Sequence, residues 1–239
     1  MESLVKTALV ITVIGAINWG LVGMFDFNLV EYLLGAGSLL TRLIYVIVFA
    51  CGILSLVILG KHLDFDKCSS LIDSNKDVDG FTLTNVYNLY LNRKSILPCT
   101  VKGIIKLLEH YNIPIEGANI VIVGRGNIVG KPLALALENR NATVTLCHSK
   151  TKNLENYTKQ ADILVAAAGS PNLIKKDMVK KTSVLIDVGV TRIDGKIVGD
   201  IEKDVYDTVS YITPNPGGVG PMTVAMIIDN LIEMKEGER

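Results

Sequence analysis

The stretch that decides the fold runs from Ala118 to Lys150 and reads ANIVIVGRGNIVGKPLALALENRNATVTLCHSK. A β-branched apolar run at Ile120–Val123 breaks at Gly124-Arg125-Gly126. Helical spacing then resumes from Val129 to Leu137, and a second short strand pattern closes the unit at Thr143–Cys147. The order is strand, glycine turn, helix, strand. A glycine turn between a buried strand and a helix is the setting a dinucleotide site requires. Gly124 permits the tight turn and Gly126 lets backbone approach a pyrophosphate. The helix N-terminus beyond them offers unpaired N–H groups and the positive end of a dipole. The spacing, Gly-x-Gly-x-x-x-Gly ending at Gly130, is one residue longer than the commonest fingerprint, and a plain βα turn is the alternative use of these glycines.

The end of the second strand indicates which nucleotide. An NAD site usually carries Asp or Glu roughly 20 residues past the glycines, to bind the ribose 2′-hydroxyl. Here Cys147, His148, Ser149 and Lys150 stand at that place, and Arg125 lies inside the turn. No carboxylate would repel a 2′-phosphate, whereas a guanidinium, a hydroxyl and an ammonium could bind one, so NADP is preferred over NAD. The competing use of Arg125 and Lys150 is as solvated surface charges.

Beyond this unit the alternation continues. Strands are expected at Ile163–Ala167, Val184–Val188 and Val209–Ile212, and helical segments near 153–160 and 175–180. Such alternation argues an α/β fold, a doubly wound and mainly parallel sheet of the Rossmann type. Asp194-Gly195, between TRI and KIV, reads as a hairpin turn. A last helix is expected over about 222–234, starting at Pro221. Before it lies the loop Thr213-Pro214-Asn215-Pro216-Gly217-Gly218-Val219-Gly220. It falls after a strand and before a helix, hence on the sheet edge where ligands bind.

The first 60 residues differ in character. Only Glu2, Lys6, Asp26, Glu31 and Arg42 are charged there, although the whole 239-residue chain balances 24 basic against 24 acidic residues. The runs 7–25 and 43–60 carry no charge, and a bilayer crossing takes roughly 17 to 25 apolar residues. Two such runs joined by a short connection predict a transmembrane helical hairpin, with the lipid bilayer as partner. Two buried helices of a soluble domain are the alternative. Lys6 precedes the first run and Lys61 and Lys67 follow the second, which puts both termini on the cytoplasmic side together with everything after residue 60. Ala16 and Gly20 form a small-xxx-small face for helix packing. Asn18 reads as a satisfied packing residue and Trp19 as an interfacial anchor.

Zero net charge gives no nucleic-acid footprint. Cys51, Cys68, Cys99 and Cys147 stand too far apart for a zinc site, so no metal is expected, and free thiols in a reducing compartment account for them. Residues 61–100 are polar with helical stretches. Thr100 is a candidate N-cap for a helix to about Tyr111, and Pro114 separates that helix from the nucleotide strand. His110 and His148 have no partner suggested by spacing and read as structural.

Six stretches together carry a family resemblance: KDVDGF at 76–81, PCT at 98–100, VGRGNIVGKP at 123–132, CHS at 147–149, DVG at 187–189 and TPNPGGVGPMT at 213–223. Over about 61–239 the chain resembles the bifunctional methylenetetrahydrofolate dehydrogenase/methenyltetrahydrofolate cyclohydrolase family of the FolD type. The resemblance implies oxidation of 5,10-methylenetetrahydrofolate with NADP and hydrolysis of the methenyl product to 10-formyltetrahydrofolate. Tetrahydrofolate derivatives would be the substrates, and a homodimer through the nucleotide domain is implied too. Asp79 corresponds to the aspartate that binds the pterin, and Pro216, Gly217, Gly218, Val219 and Gly220 to the loop lining the folate cleft. Gly124, Arg125, Gly126, Ser149 and Val190 fall on the cofactor contacts. Gly126 stands where many members have Ser, and Val101 where Pro is usual. Residues 1–60, with GAINWGLVGMFDFNLVEYLLG, resemble a bacterial two-span membrane family of unknown function, the DUF378 type.

The resemblance also predicts a defect. Members carry a Tyr-x-x-x-Lys segment and a Gln-Leu-Pro-Leu-Pro stretch, and the chain has neither before residue 61. The missing lysine is the group expected to handle protons in the hydrolytic step, and the missing tyrosine and glutamine stack on the pterin and orient that lysine. Tyr90 and Lys94 share the Tyr-x-x-x-Lys spacing, but they follow KDVDGF and read as a solvated helix face. The expected organisation is therefore 1–60 membrane hairpin, 61–115 remnant of the folate domain and 116–239 NADP-binding domain, with turnover impaired. The alternatives are a membrane-anchored NADP-binding module without catalysis and a gene fusion without selected function.

Overall fold

A computed structural model describes residues 2–62 and 69–237, with side chains for residue 7, for 10–52 and for 69–236. The chain divides into two compact units, Met1–Cys68 and Ser69–Arg239.

The first unit contains helices α1 (Glu2–Phe25), α2 (Leu29–Leu34) and α3 (Leu39–His62). The contact between α1 and α3 is not the one expected from Ala16 and Gly20. A Cβ at Gly15 would fall on Val48, whereas Gly20 has nothing within 4 Å. Gly15 is therefore the close-approach residue, one position from the small-residue pair that the pattern suggested. Asn18 is buried, as expected of a packing residue. Its amide donates to Asn28 Oδ1 at 3.2 Å and its oxygen accepts the Val30 N–H. Asn28 caps α2 and meets the Tyr45 hydroxyl of α3, so one amide knot ties three helices.

The expected pair of bilayer crossings finds no support in the described residues. Among the described residues no helix is long and apolar enough to cross a membrane. The far half of the expected 43–60 run, together with Lys6, Lys61 and Lys67, lies outside the described side chains.

The second unit opens with α4 (Leu83–Tyr90) and α5 (Cys99–His110). Thr82 caps α4, accepting the Asn85 N–H. Helix α5 begins one residue before the expected cap, behind Pro98, and Thr100 is inside it. Tyr90 ends α4 and Asn92 takes φ +51°, so Tyr90 and Lys94 do not share a helix face. The central unit then follows as strand β1 (Asn119–Val123), α6 (Gly130–Glu138) and β2 (Thr143–Cys147). Next come α7 (Leu154–Thr158), β3 (Ile163–Ala166) and β4 (Val184–Asp187). The hairpin β5 (Thr191–Ile193) and β6 (Lys196–Val198), the short β7 (Tyr211–Ile212) and α8 (Val219–Gly237) complete the chain.

The main sheet has the order β2-β1-β3-β4-β7, and all its pairings are parallel. Strands β3 and β4 read as near-continuous apolar runs because both faces are covered, as a doubly wound sheet demands. Ile120, Ile122, Leu133 and Leu137 bury on one side with Ile104 and Leu108 of α5, and Val121, Leu164 and Leu185 on the other. Asp194 and Gly195 both take positive φ, the turn that matches the twist of β5 and β6. Three expectations shift, the first being that the strand expected at Val209–Ile212 is only Tyr211–Ile212. The segment near 175–180 is only a 3₁₀ turn at Lys176–Met178, and α8 starts at Val219 rather than Pro221.

Candidate functional site

All strands of the main sheet run parallel, so the ends of β1, β2, β3 and β4 open on one edge. There the Gly124 turn takes φ +123°, and a Cβ on Gly124 would fall on the carbonyl of Ala167. A Cβ on Gly130 would likewise fall on the Gly124 carbonyl. Both positions need glycine because backbone passes backbone with no room between. Gly126 has nothing within 4 Å, which leaves open space over the turn.

That space is a cleft of about 500 Å³, lined in part by Gly124, Arg125, Gly126 and Ser149. Four of the five residues expected at the cofactor thus line one cleft. The fifth, Val190, does not line it and stands exposed beyond β4. Sequence reading missed the opposite wall, Ala167, Ala168 and Ser170. Its only local signal is the AAAGS that follows a buried strand. Helix α6 starts behind Val129 with no side-chain cap, but Lys131 donates its N–H to the Gly126 carbonyl, Pro132 has none and Leu133 bonds to Val129, so the helix offers an anion chiefly the Gly130 end and its dipole. Arg125 is exposed on the turn and Ser149 ends the β2 side. The donors and space fit a phosphorylated dinucleotide. His148, which also lines the cleft, accepts the Lys150 N–H through Nδ1 and donates its backbone N–H to Thr151 Oγ1.

The wall rests on a carboxylate. Asp200, fully buried, accepts the N–H groups of Ala168, Gly169 and Ser170 at 2.6, 2.9 and 2.8 Å. Its own N–H donates to Asp187 Oδ1 at 2.9 Å. Burial pushes the Asp187 carboxyl above the usual carboxylate range, against hydrogen bonds from Asp200 and Asn215 that pull it down. Asn215 donates to the Gly189 carbonyl at 2.6 Å, and Thr213 Oγ1 accepts the Asp187 N–H. The DVG stretch therefore joins the 168–170 wall of the cleft to the loop at 213–220.

Within that loop the expected residues separate. Gly217 and Gly218 line a second, apolar cavity of about 470 Å³ with Pro214 and Tyr111, and Pro216 is exposed after a cis Asn215–Pro216 bond. Val219 is buried in the core, so its side chain faces packing rather than open space. Gly220 has open space around it. Asp79 lines neither cavity. Its carboxylate accepts the Cys99 N–H at 2.8 Å, at the first residue of α5. Burial, then Asp79, pushes the Cys99 thiol up to about 12, which leaves it inert.

Residues 98–239 match the tetrahydrofolate dehydrogenase/cyclohydrolase NAD(P)-binding domain, and residues 2–60 match a domain of unknown function, DUF378. The bifunctional protein FolD of Clostridium novyi is 53% identical over 183 residues, 76% of this chain and 66% of that protein. That of Acholeplasma laidlawii is 54% identical over 181 residues, 75% of this chain and 65% of the relative. The chain thus spans a little under two thirds of the length of the curated relatives it matches. Among solved structures, the FolD dehydrogenase/cyclohydrolase of Campylobacter jejuni superposes with a TM-score of 0.72 at 48% identity, covering 74% of this chain and 64% of that one. The Trypanosoma brucei enzyme, solved with NADP and an inhibitor, gives 0.70 at 38%, covering 74% and 64%. The chain belongs to the tetrahydrofolate dehydrogenase/cyclohydrolase family, by way of that family's NAD(P)-binding domain.

Proposed function

We propose that the second unit binds NADP and a tetrahydrofolate derivative, and acts in one-carbon chemistry as a methylenetetrahydrofolate dehydrogenase and methenyltetrahydrofolate cyclohydrolase of reduced competence. The observation that carries the nucleotide half is the gathering of Gly124, Arg125, Gly126 and Ser149 around one cleft at the carboxyl edge of a parallel sheet. The turn and the N-terminus of α6 would hold the pyrophosphate, and Arg125, Ser149 and Lys150 the 2′-phosphate. When bound, the nicotinamide supplies the hydride acceptor. Asp79 would meet the pterin, and Pro216, Gly217, Gly218, Val219 and Gly220 would border it through backbone. Val190 would reach the nucleotide from beyond β4.

Reduced competence follows from chemistry. Water must be deprotonated and a ring nitrogen protonated in the hydrolytic step, and residues 1–60 offer no match to the family's Tyr-x-x-x-Lys segment to do it. Hydride transfer depends on placing the methylene carbon against the nicotinamide, which a partial cleft does poorly. The test is NADPH formation from methylenetetrahydrofolate, followed by absorbance beside NADP affinity in the same preparation. Binding with a slow but real rate fits this reading. Binding with a rate equal to the blank leaves a nucleotide-binding module without catalysis, and tighter NAD than NADP binding removes the assigned role of Arg125 and Ser149.

For the first unit we propose contact with a lipid bilayer through 7–25 and 43–60, with both termini cytoplasmic, and we extend the family's homodimer to the second unit. Support for the bilayer is the outward-facing apolar surface, in which Val13, Ile14, Ile17, Trp19, Val46 and Phe49 are exposed. Carbonate-resistant sedimentation of the full chain with membranes is expected, and recovery in the supernatant would sink this part.

A further inference from the structure

Resting on the nucleotide reading above, we propose that Asp200 is a positioning residue for the nicotinamide half of the cofactor, by holding the 168–170 wall of the cleft. The sheet order sets the direction. Ser149 at the end of β2 marks the adenosine side, the Gly124 turn ends β1, and β3 lies on the opposite side of β1 from β2. A dinucleotide lying across that edge puts its adenosine half toward β2 and its other half over the ends of β3 and β4. The wall after β3 is therefore what the nicotinamide half meets.

Nothing else described fixes that wall as tightly. Three consecutive N–H groups converge on one carboxylate, a nest with the anion supplied by the chain itself. Crowding holds this carboxylate on one side, and holds that of Asp187, which accepts the Asp200 N–H, likewise. A Cβ at Gly189 would fall on the Asp200 carboxylate, and a Cβ at Gly199 on that of Asp187. Asp200 itself lines no part of the cleft, so it acts through the backbone it grips.

The experiment uses the full chain and two probes, NADPH and adenosine 2′,5′-bisphosphate, with affinities read by fluorescence and calorimetry and the fold checked by circular dichroism. Asp200→Asn replaces one acceptor oxygen with a donor that faces an N–H. Gly189→Ala keeps the charge but displaces it. Both are expected to weaken NADPH by roughly tenfold or more, the effect of losing one charge-assisted hydrogen bond, while the adenosine fragment binds as to the wild type. Equal loss of both ligands, or of neither, would overturn the proposal. Loss of fold in both variants would make the carboxylate a structural group and overturn it as well. A wild-type chain that takes neither ligand would remove the nucleotide reading itself, and this role with it. Wild-type binding with unchanged variants would remove the role alone.

Discussion

In the first unit, Ile14, Ile17 and Trp19 stand more than half exposed while Asn18 and Thr41 are buried. In the second, Ile104, Ile122 and Leu133 have no exposure, and polar side chains such as Asn230 enter the interior only with every partner supplied. One unit turns its apolar residues outward and packs by a glycine and an amide knot. The other turns them inward and packs by burial. The difference teaches that two kinds of contact order the two units: burial of apolar side chains in the second, and close approach with hydrogen bonds among the described residues of the first.

Truncating a fully buried side chain should break the contrast most. Ile104→Ala and Leu133→Ala are expected to cost about 2 to 5 kcal/mol, whereas Ile17→Ala should stay within about 0.5 kcal/mol, both read by denaturant unfolding. A large loss at Ile17 would mean that the hairpin packs by burial after all. Next in size, Gly124→Ala forces a side chain onto the Ala167 carbonyl at a positive φ. It should cost about 1 to 3 kcal/mol and abolish NADPH binding in a fluorescence titration.

Asn230→Ala sharpens the comparison from the polar side. It strips hydrogen bonds from the carbonyls of Val78 and Leu97 and from the Lys102 ammonium, and about 1 to 3 kcal/mol should go, seen as a lowered thermal midpoint. Asp77 gives a pH handle. Burial pushes its carboxyl up, but hydrogen bonds from Asn85 and Thr82 outweigh this and hold it below its ordinary 3.8. A depressed carboxylate contributes stability above the unfolded value and loses it as pH falls through the folded one, so the loss belongs below about pH 4. Asp77→Asn should flatten the acid limb of the unfolding midpoint against pH. The smallest effect belongs to the exposed Lys180–Asp162 pair, where Lys180→Ala should change stability by about 0 to 1 kcal/mol, less in high salt.

Much of the α/β unit was legible because period and punctuation agreed. The second strand falls at Thr143–Cys147 as expected, and β1, β3 and β4 begin or end within one residue of their patterns. The glycines marked the turn beside the cleft because backbone crowding at Gly124 and Gly130 tolerates nothing else. What sequence could not give were contacts between residues far apart. Asp200 grips a wall some thirty positions earlier, and neither its neighbours nor its spacing advertise an anion nest. Thr100 looked like a cap, yet Pro98 starts the helix, since a fixed proline φ sets the entry without any side-chain bond. In the hairpin, a one-residue rotation separated the expected Ala16–Gly20 face from the observed Gly15–Asn18 face, because uniform apolarity gives a helix no preferred side.

Asn230 has one more consequence. Its amide on the last helix grips the Val78 carbonyl, 152 residues earlier. During synthesis the loop around residue 78 leaves the ribosome long before its clasp exists, so that loop must wait, unfastened, until α8 emerges. Residues 76–98 are expected to become resistant to protease only once α8 has emerged, and stalled nascent chains lacking α8 should be cut there first.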